Sequence, residues 1–312
     1  MVQVLTSLFP IVSLVLCGML LLRFEFYDET FRRNVDRLVY WVSVPALVVV
    51  KLGGRAPLNF DAAPITGAFL IATLGAMVVA YLLAWSMKLP GPSLGVFVQA
   101  GFRSNLAFLA LPVIVLAADG AHLDPQHVES QAVLVLAPMM LFYNVVSVFV
   151  LELARSRIEW RVVPILARSV ATNPILLSCV VGIGIGLSGF ALPGPVDDTL
   201  DLLGATAAPL ALLSLGGTLV VYEVRDNLRL AVLAALVKVA VLPVLAWLTG
   251  RAFDLDNEGM LILMVYASAP TAVASYIVAS QLGGDEALAA STLVVTTALC
   301  VVSLAVALSW SV

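Results

Sequence analysis

Read from end to end, the chain is a succession of long apolar runs separated by short polar stretches. Ten runs stand out, at about residues 4–22, 35–52, 63–86, 94–118, 129–152, 165–189, 200–221, 228–250, 259–282 and 286–310. Most carry Leu, Val and Ala on every side rather than along one stripe, the pattern of helices surrounded by lipid and by one another. A spanning helix needs about 20 apolar residues, so the pattern predicts ten transmembrane helices. The alternating segments of about ten residues that build a membrane β-barrel are not seen. No Lys or Arg precedes the first apolar run and no small-residue cleavage site follows it, so it is expected to be the first span rather than a cleaved signal.

Composition agrees and narrows the class. Of 312 residues, 62% are hydrophobic and 12% charged, against about 45–50% and about 25% in soluble domains. That excludes a soluble enzyme and a disordered chain. A net charge of −4, with no Lys/Arg stripe, argues against nucleic acid as a partner. Cys17, Cys179 and Cys300 lie far apart inside apolar runs, so neither a disulfide framework nor a metal site is expected. No phosphate-binding glycine loop, catalytic triad or cofactor motif appears, and the expectation is a protein that is not an enzyme and carries no cofactor.

The basic residues orient the spans. With the N-terminus outside, eleven fall on the cytoplasmic side: Arg23, Arg32, Arg33, Arg37, Lys88, Arg155, Arg157, Arg161, Arg168, Arg225 and Arg229. Three fall outside: Lys51, Arg55 and Arg251. The bias predicts a multi-pass protein of the cell (inner or plasma) membrane with both termini on the outer side. His122 and His127 occupy an outer loop and read as solvated surface.

The chain divides into residues 1–152, a basic cytoplasmic linker at 153–164, and residues 165–312. Each half holds five spans, so the second enters the membrane inverted. Pro45 and Pro112 in the first half, and Pro209 and Pro270 in the second, punctuate the halves at similar spacing. Inverted repeats are a common plan of secondary transporters. Prolines within spans free backbone carbonyls, which a bilayer tolerates only where protein or a water-filled cavity surrounds them. The fourth and ninth spans mix small, hydroxyl and proline residues, and they are the candidates for broken helices crossing near Pro112 and Pro270.

Candidate chemistry gathers there. Arg103 lies about ten residues into its span, where a bare guanidinium costs roughly 2.5–3.5 kcal/mol on insertion scales. It either binds a substrate carboxylate or ties down the carbonyls of a broken helix. Ser104 and Asn105 follow; the Asn105 amide serves equally as ligand or as helix cap. Ser268, Thr271 and Ser275 would face them from the ninth span, and Ser43 and Ser214 would line the site from the second and seventh. Lys238 either has a structural role, snorkelling toward the cytoplasm or binding unwound carbonyls of a crossing helix, or contacts the substrate directly, and the structural role is the expectation. No Asp or Glu lies in the cores of the third, fourth, eighth, ninth and tenth spans, so the missing negative charge is expected to arrive as substrate.

The stretches Asn34-Val35-Asp36-Arg37-Leu38-Val39-Tyr40 before Pro45, Ser104 to Pro112, Asn173-Pro174, Pro209 to Gly216, and Ala269-Pro270-Thr271-Ala272 resemble the auxin efflux carrier family, which includes bacterial organic-acid permeases. The resemblance implies an all-α membrane protein of ten helices in two inverted five-helix repeats. It implies broken crossing helices four and nine, a scaffold of spans one, two, six and seven, and a transport domain of the rest. It also implies an elevator-type motion and a homodimer, with Asn105 and Lys238 matching the family's Asn of helix four and its basic residue of helix eight. Plant members carry a proline where Ser275 stands here and often a long central loop that this chain lacks. The expected function is secondary transport of a small organic anion, auxin-like or a dicarboxylate. A sodium-coupled symporter of the bile-acid type and a non-transporting membrane receptor are the alternatives.

Overall fold

The computed structural model describes residues 2–53, 62–120, 123–155, 164, 168, 171–190, 192–221 and 228–311. Arg55, His122, Arg157, Arg161, Arg225 and most of the linker at 153–164 lie outside them. Among the described residues every regular element is helical, and the single non-helical pairing is an antiparallel bridge between Ser104 and Thr271.

In chain order the helices are α1 (Val2–Arg23), α2 (Glu29–Leu38), α3 (Val44–Gly53), α4 (Ala62–Ser86), α5 (Gly91–Phe102), α6 (Leu111–Gly120), α7 (Pro125–Ala154), α8 (Pro174–Ser188), α9 (Gly194–Ala205), α10 (Ala207–Val221), α11 (Leu228–Leu236), α12 (Leu242–Ala252), α13 (Asn257–Ser268), α14 (Val273–Gln281) and α15 (Glu286–Ser311). Among the described residues, five helices are long and apolar enough to cross a membrane: Ala62–Ser86, Pro125–Ala154, Gly194–Gly217, Leu228–Ala252 and Glu286–Trp310. The fourth and ninth apolar runs are instead divided into two helical pieces each, α5 with α6 and α13 with α14.

Three widened π-turns, Val39–Ser43, Leu106–Ala110 and Val237–Val241, each precede a helix whose second residue is a proline: Pro45, Pro112 and Pro243. A proline lacks an N–H and its ring pushes on the carbonyl four residues back, so the helix opens there. At Pro243 the freed acceptor is the Val239 carbonyl, and Ser303 Oγ on α15 donates to it at 2.7 Å.

The chain forms two compact units, each drawing on both sequence halves. The first comprises Met1–Ala63, Ala107–Met140 and Val170–Val221. In it α1 lies along α10, where Gly18 and Gly216 let the backbones touch: a methyl at either would overlap the facing chain. The same logic seats Gly182 of α8 against Leu52 and Gly204 of α9 against Leu47, both on α3. Small residues at such crossings let helices approach closely enough to replace a hydrophobic drive that lipid does not supply.

This unit buries charges that the orientation count treated as loop markers. Arg32 is 3% exposed. Its Nε and Nη2 donate to Glu29 at 2.7 and 2.8 Å, and its Nη1 to Asp36 at 2.7 Å. Asp36 in turn accepts from Ser214 Oγ. The guanidinium beside Glu29, with Arg33 next to it, holds that carboxyl below its usual value of 4.5. Elsewhere in the unit Lys51 pairs with buried Glu129 at 2.9 Å.

The second unit comprises Pro64–Leu106, Leu141–Ser169 and Tyr222–Val312. Its last helix, α15, packs against α5, α11, α12, α13 and α14. Phe69 of α4 stacks on Tyr266 of α13 at 5.8 Å and meets Tyr143 of α7 edge-on at 6.3 Å. These rings form a wall behind the two helix breaks.

Candidate functional site

The first break begins where α5 ends at Phe102. Arg103 still donates its N–H to the Gln99 carbonyl at 3.0 Å, but its backbone turns extended, with φ −80° and ψ 110°. Two carbonyls then lose the N–H groups that a continuing helix would offer them. The Ala100 carbonyl accepts instead from Thr271 Oγ1 at 2.9 Å. The Asn105 N–H, which would have served Gly101, donates to the Pro270 carbonyl at 2.8 Å.

The second break has a local cause. Pro270 offers no N–H and forces the residue before it into an extended conformation; Ala269 has φ −61° and ψ 147°. α13 ends at Ser268 and α14 begins at Val273. Thr271 N–H, the natural partner of the Ala267 carbonyl, donates to Thr296 Oγ1 of α15 at 3.2 Å. The abandoned Ala267 carbonyl accepts from Lys238 Nζ at 2.6 Å. Lys238 is fully buried, and it ends its reach at this carbonyl. Each break thus completes the other: Thr271 and Pro270 satisfy the first, and the bridge Ser104–Thr271 ties the two extended segments together.

The side chains around the breaks are buried and polar. Arg103, Ser104, Asn105, Ser268, Thr271 and Ser275 are each at most 5% exposed, and all belong to the second unit. Arg103 Nη2 donates to Asn144 Oδ1 of α7 at 2.9 Å.

The two breaks thus form one irregular backbone crossing among apolar helices, with a cation at each break. A family model described as "Membrane transport protein" matches residues 118–308. The chain belongs to this family of membrane transport proteins, that of the auxin efflux carriers. The matched stretch of the family includes Lys238, the second break and Thr296 of α15; the first break precedes it. A protein of Rhizobium meliloti (strain 1021) described as "Putative malonate transporter" is 32% identical over 139 residues, covering 44% of this chain and 43% of that protein. The chain therefore spans less than half the length of this curated relative in the match.

Ser43 and Ser214 belong to the first unit, where Ser43 Oγ and Thr206 Oγ1 are 2.7 Å apart and Ser214 donates to Asp36. Pro112 stands at the second position of α6, beyond the π-turn that follows the first break. The breaks also adjoin residues that sequence reasoning passed over: Tyr143 and Asn144 of α7, Thr73 of α4, Gln99 of α5 and Thr296 of α15. An Asn in mid-span, as in Leu141-Phe142-Tyr143-Asn144-Val145, is a polar signal that could have been read. The hydroxyl residues gave none, since Ser and Thr satisfy themselves on their own helix in most spans.

Among the described residues, seven side chains of the second unit bury a polar atom with no hydrogen-bond partner: Thr73, Gln99, Ser104, Tyr143, Ser147, Ser268 and Ser275. The Tyr143 hydroxyl sits beside those of Ser104 and Thr73, short of hydrogen-bonding geometry. A buried polar group left unsatisfied costs about 1–3 kcal/mol.

Proposed function

We propose that the chain is a secondary transporter for a small organic carboxylate, with the crossing of the two breaks as its substrate site. The observation that carries this reading is the presence of Arg103 at the first break and of Lys238 on the Ala267 carbonyl of the second, in a unit whose helix middles, residues 66–84, 93–106, 141–151, 230–250, 260–281 and 288–310, hold no Asp or Glu. Charged groups inside a bilayer mark solute pathways and counter-ions. Arg103, Ser104 and Asn105 hold the carboxylate, with Ser268, Thr271 and Ser275 facing them; the guanidinium supplies charge and the hydroxyls orientation. Lys238 holds the second break in shape through the Ala267 carbonyl. The name of the Rhizobium meliloti relative makes malonate the first solute to try.

The full architecture belongs to the same reading: ten helices in inverted repeats of residues 1–152 and 165–312 around a linker at 153–164. So do an elevator-type alternation of access, a homodimer, a place in the cell membrane and both termini outside. The division of contacts into two units that each draw on both sequence halves supports a two-body mechanism. Sodium coupling is the weaker reading, because cations already stand at both breaks and would repel a further one. With no mid-span carboxylate to carry protons, the anion gradient and membrane potential drive flux, or protons travel on the substrate.

The test is malonate uptake into proteoliposomes with an imposed potential. Uptake is expected to respond to the sign of the potential, and Asn105→Ala is expected to cut it by at least about tenfold. Uptake and binding both intact in Asn105→Ala would overturn the site assignment. Binding without flux in the wild type would make the protein a receptor.

A further inference from the structure

We propose that Tyr143, Thr73 and Gln99 form a second hydrogen-bonding subsite beside the first break, which takes a second oxyanion of the substrate and so selects a two-headed anion over a single carboxylate. The inference rests on the transport reading above and deepens it by assigning residues that the crossing itself does not contain.

Three observations converge on it. The first is the orphan cluster. Tyr143 is 2% exposed, Thr73 is 0% and Gln99 is 1%, and none of their side-chain polar atoms named above has a partner. Their positions group them at one end of the crossing. Gln99 lies one turn before Arg103 and gives its carbonyl to the Arg103 N–H. The Tyr143 hydroxyl lies beside Ser104 and Thr73. Asn144, next along α7, grips Arg103.

The second is the character of the unused atoms. The orphan of Gln99 is Nε2, which can only donate. The hydroxyls of Tyr143, Thr73 and Ser104 can all donate, and the Arg103 guanidinium adjoins them. A cluster of donors with a neighbouring positive charge fits an oxyanion, and the same charge, with the Gln99 amide donor, disfavours a metal cation.

The third is shape. Phe69, Phe102 and Tyr266 are each fully buried, and with Tyr143 they pack ring on ring at 5.8–6.3 Å. The wall behind the hydroxyls is already filled by the protein's own aromatics, so the group received there is compact and polar rather than a ring. The hydroxyls are sealed from solvent.

The test compares malonate with acetate on the purified full-length protein by isothermal titration, alongside uptake. The wild type is expected to bind malonate at least about tenfold more tightly than acetate. Tyr143→Phe and Thr73→Val, which keep ring and branch, are each expected to weaken malonate by about tenfold while leaving acetate within about twofold. Asn105→Ala is expected to weaken both. Malonate binding that survives both hydroxyl deletions, or acetate weakened as much as malonate, would overturn the subsite and leave the transport reading standing. A wild type that binds neither anion would overturn the carboxylate reading itself. Thr73→Val guards against a Tyr143→Phe protein that fails to fold, and unchanged thermal unfolding of either variant certifies the comparison.

Discussion

The two units treat buried polarity in opposite ways. In the first, the buried charged groups find partners close by: Arg32 with Glu29 and Asp36, Lys51 with Glu129, while Ser43 meets Thr206. In the second, seven side chains bury a polar atom with no partner among the described residues. A closed set of pairs contributes to a fixed frame, whereas a set of unused donors and acceptors carries an uncompensated desolvation cost. The difference teaches where to look for function in an apolar bundle. The informative groups are those left unsatisfied, and they cluster where the backbone itself is interrupted.

This contrast can be broken by substitution. The largest effect is expected in the first unit at Lys51→Met, which strands the buried Glu129 carboxylate and costs about 3–5 kcal/mol of stability. Thermal or denaturant unfolding in detergent reads this directly. The double variant Lys51→Met with Glu129→Leu is expected to recover most of the loss, because removing a buried pair whole is often neutral. Failure to recover would mean that the pair does more than complete a frame.

Next comes Arg103→Gln, expected to lower malonate uptake by one to two orders of magnitude, the worth of a hydrogen bond to a charged group. Its unfolding midpoint is expected to shift far less than that of Lys51→Met. Equal loss of stability in the two variants would erase the distinction between frame and site.

A smaller effect follows from Glu29, in the first turn of helix α2. Its carboxyl is held below 4.5 by the guanidinium groups of Arg32 and Arg33. A depressed acid contributes stability that is fully present above its unfolded value and lost as pH falls through the folded one. The stability gap between wild type and Glu29→Gln is therefore expected to be constant above about pH 5 and to close in more acid solution. The smallest effect is expected at Ser275→Ala, which removes an unpartnered hydroxyl and leaves the unfolding midpoint unchanged or slightly raised while weakening malonate.

The helical membrane class was legible because apolar runs of spanning length are a first-order signal. So was the second break, since Pro270 removes an N–H wherever it stands. The first break was not legible in the same way. No proline lies at Arg103–Asn105; the interruption is held by Thr271 and Pro270 from a segment far along the chain, and a distant partner leaves no local mark. Pro112, the nearest proline, opens a π-turn instead. Arg32 was counted as a loop charge because its burial depends on Ser214 and on Gly217, whose missing side chain makes room for the guanidinium stem. Both are contacts between separate helices. Ten spans were expected, while among the described residues five helices meet the length and hydropathy of a crossing helix; the fourth and ninth runs fall short because a break divides each into two shorter pieces.

The link from the Asn105 amide to the Pro270 carbonyl carries one more consequence. That proton is shielded from water for as long as the two extended segments stay zipped, and it is released when they part. Its exchange with deuterium therefore works as a clock on the opening of the crossing, readable without any solute and slowed by every anion that the crossing holds shut.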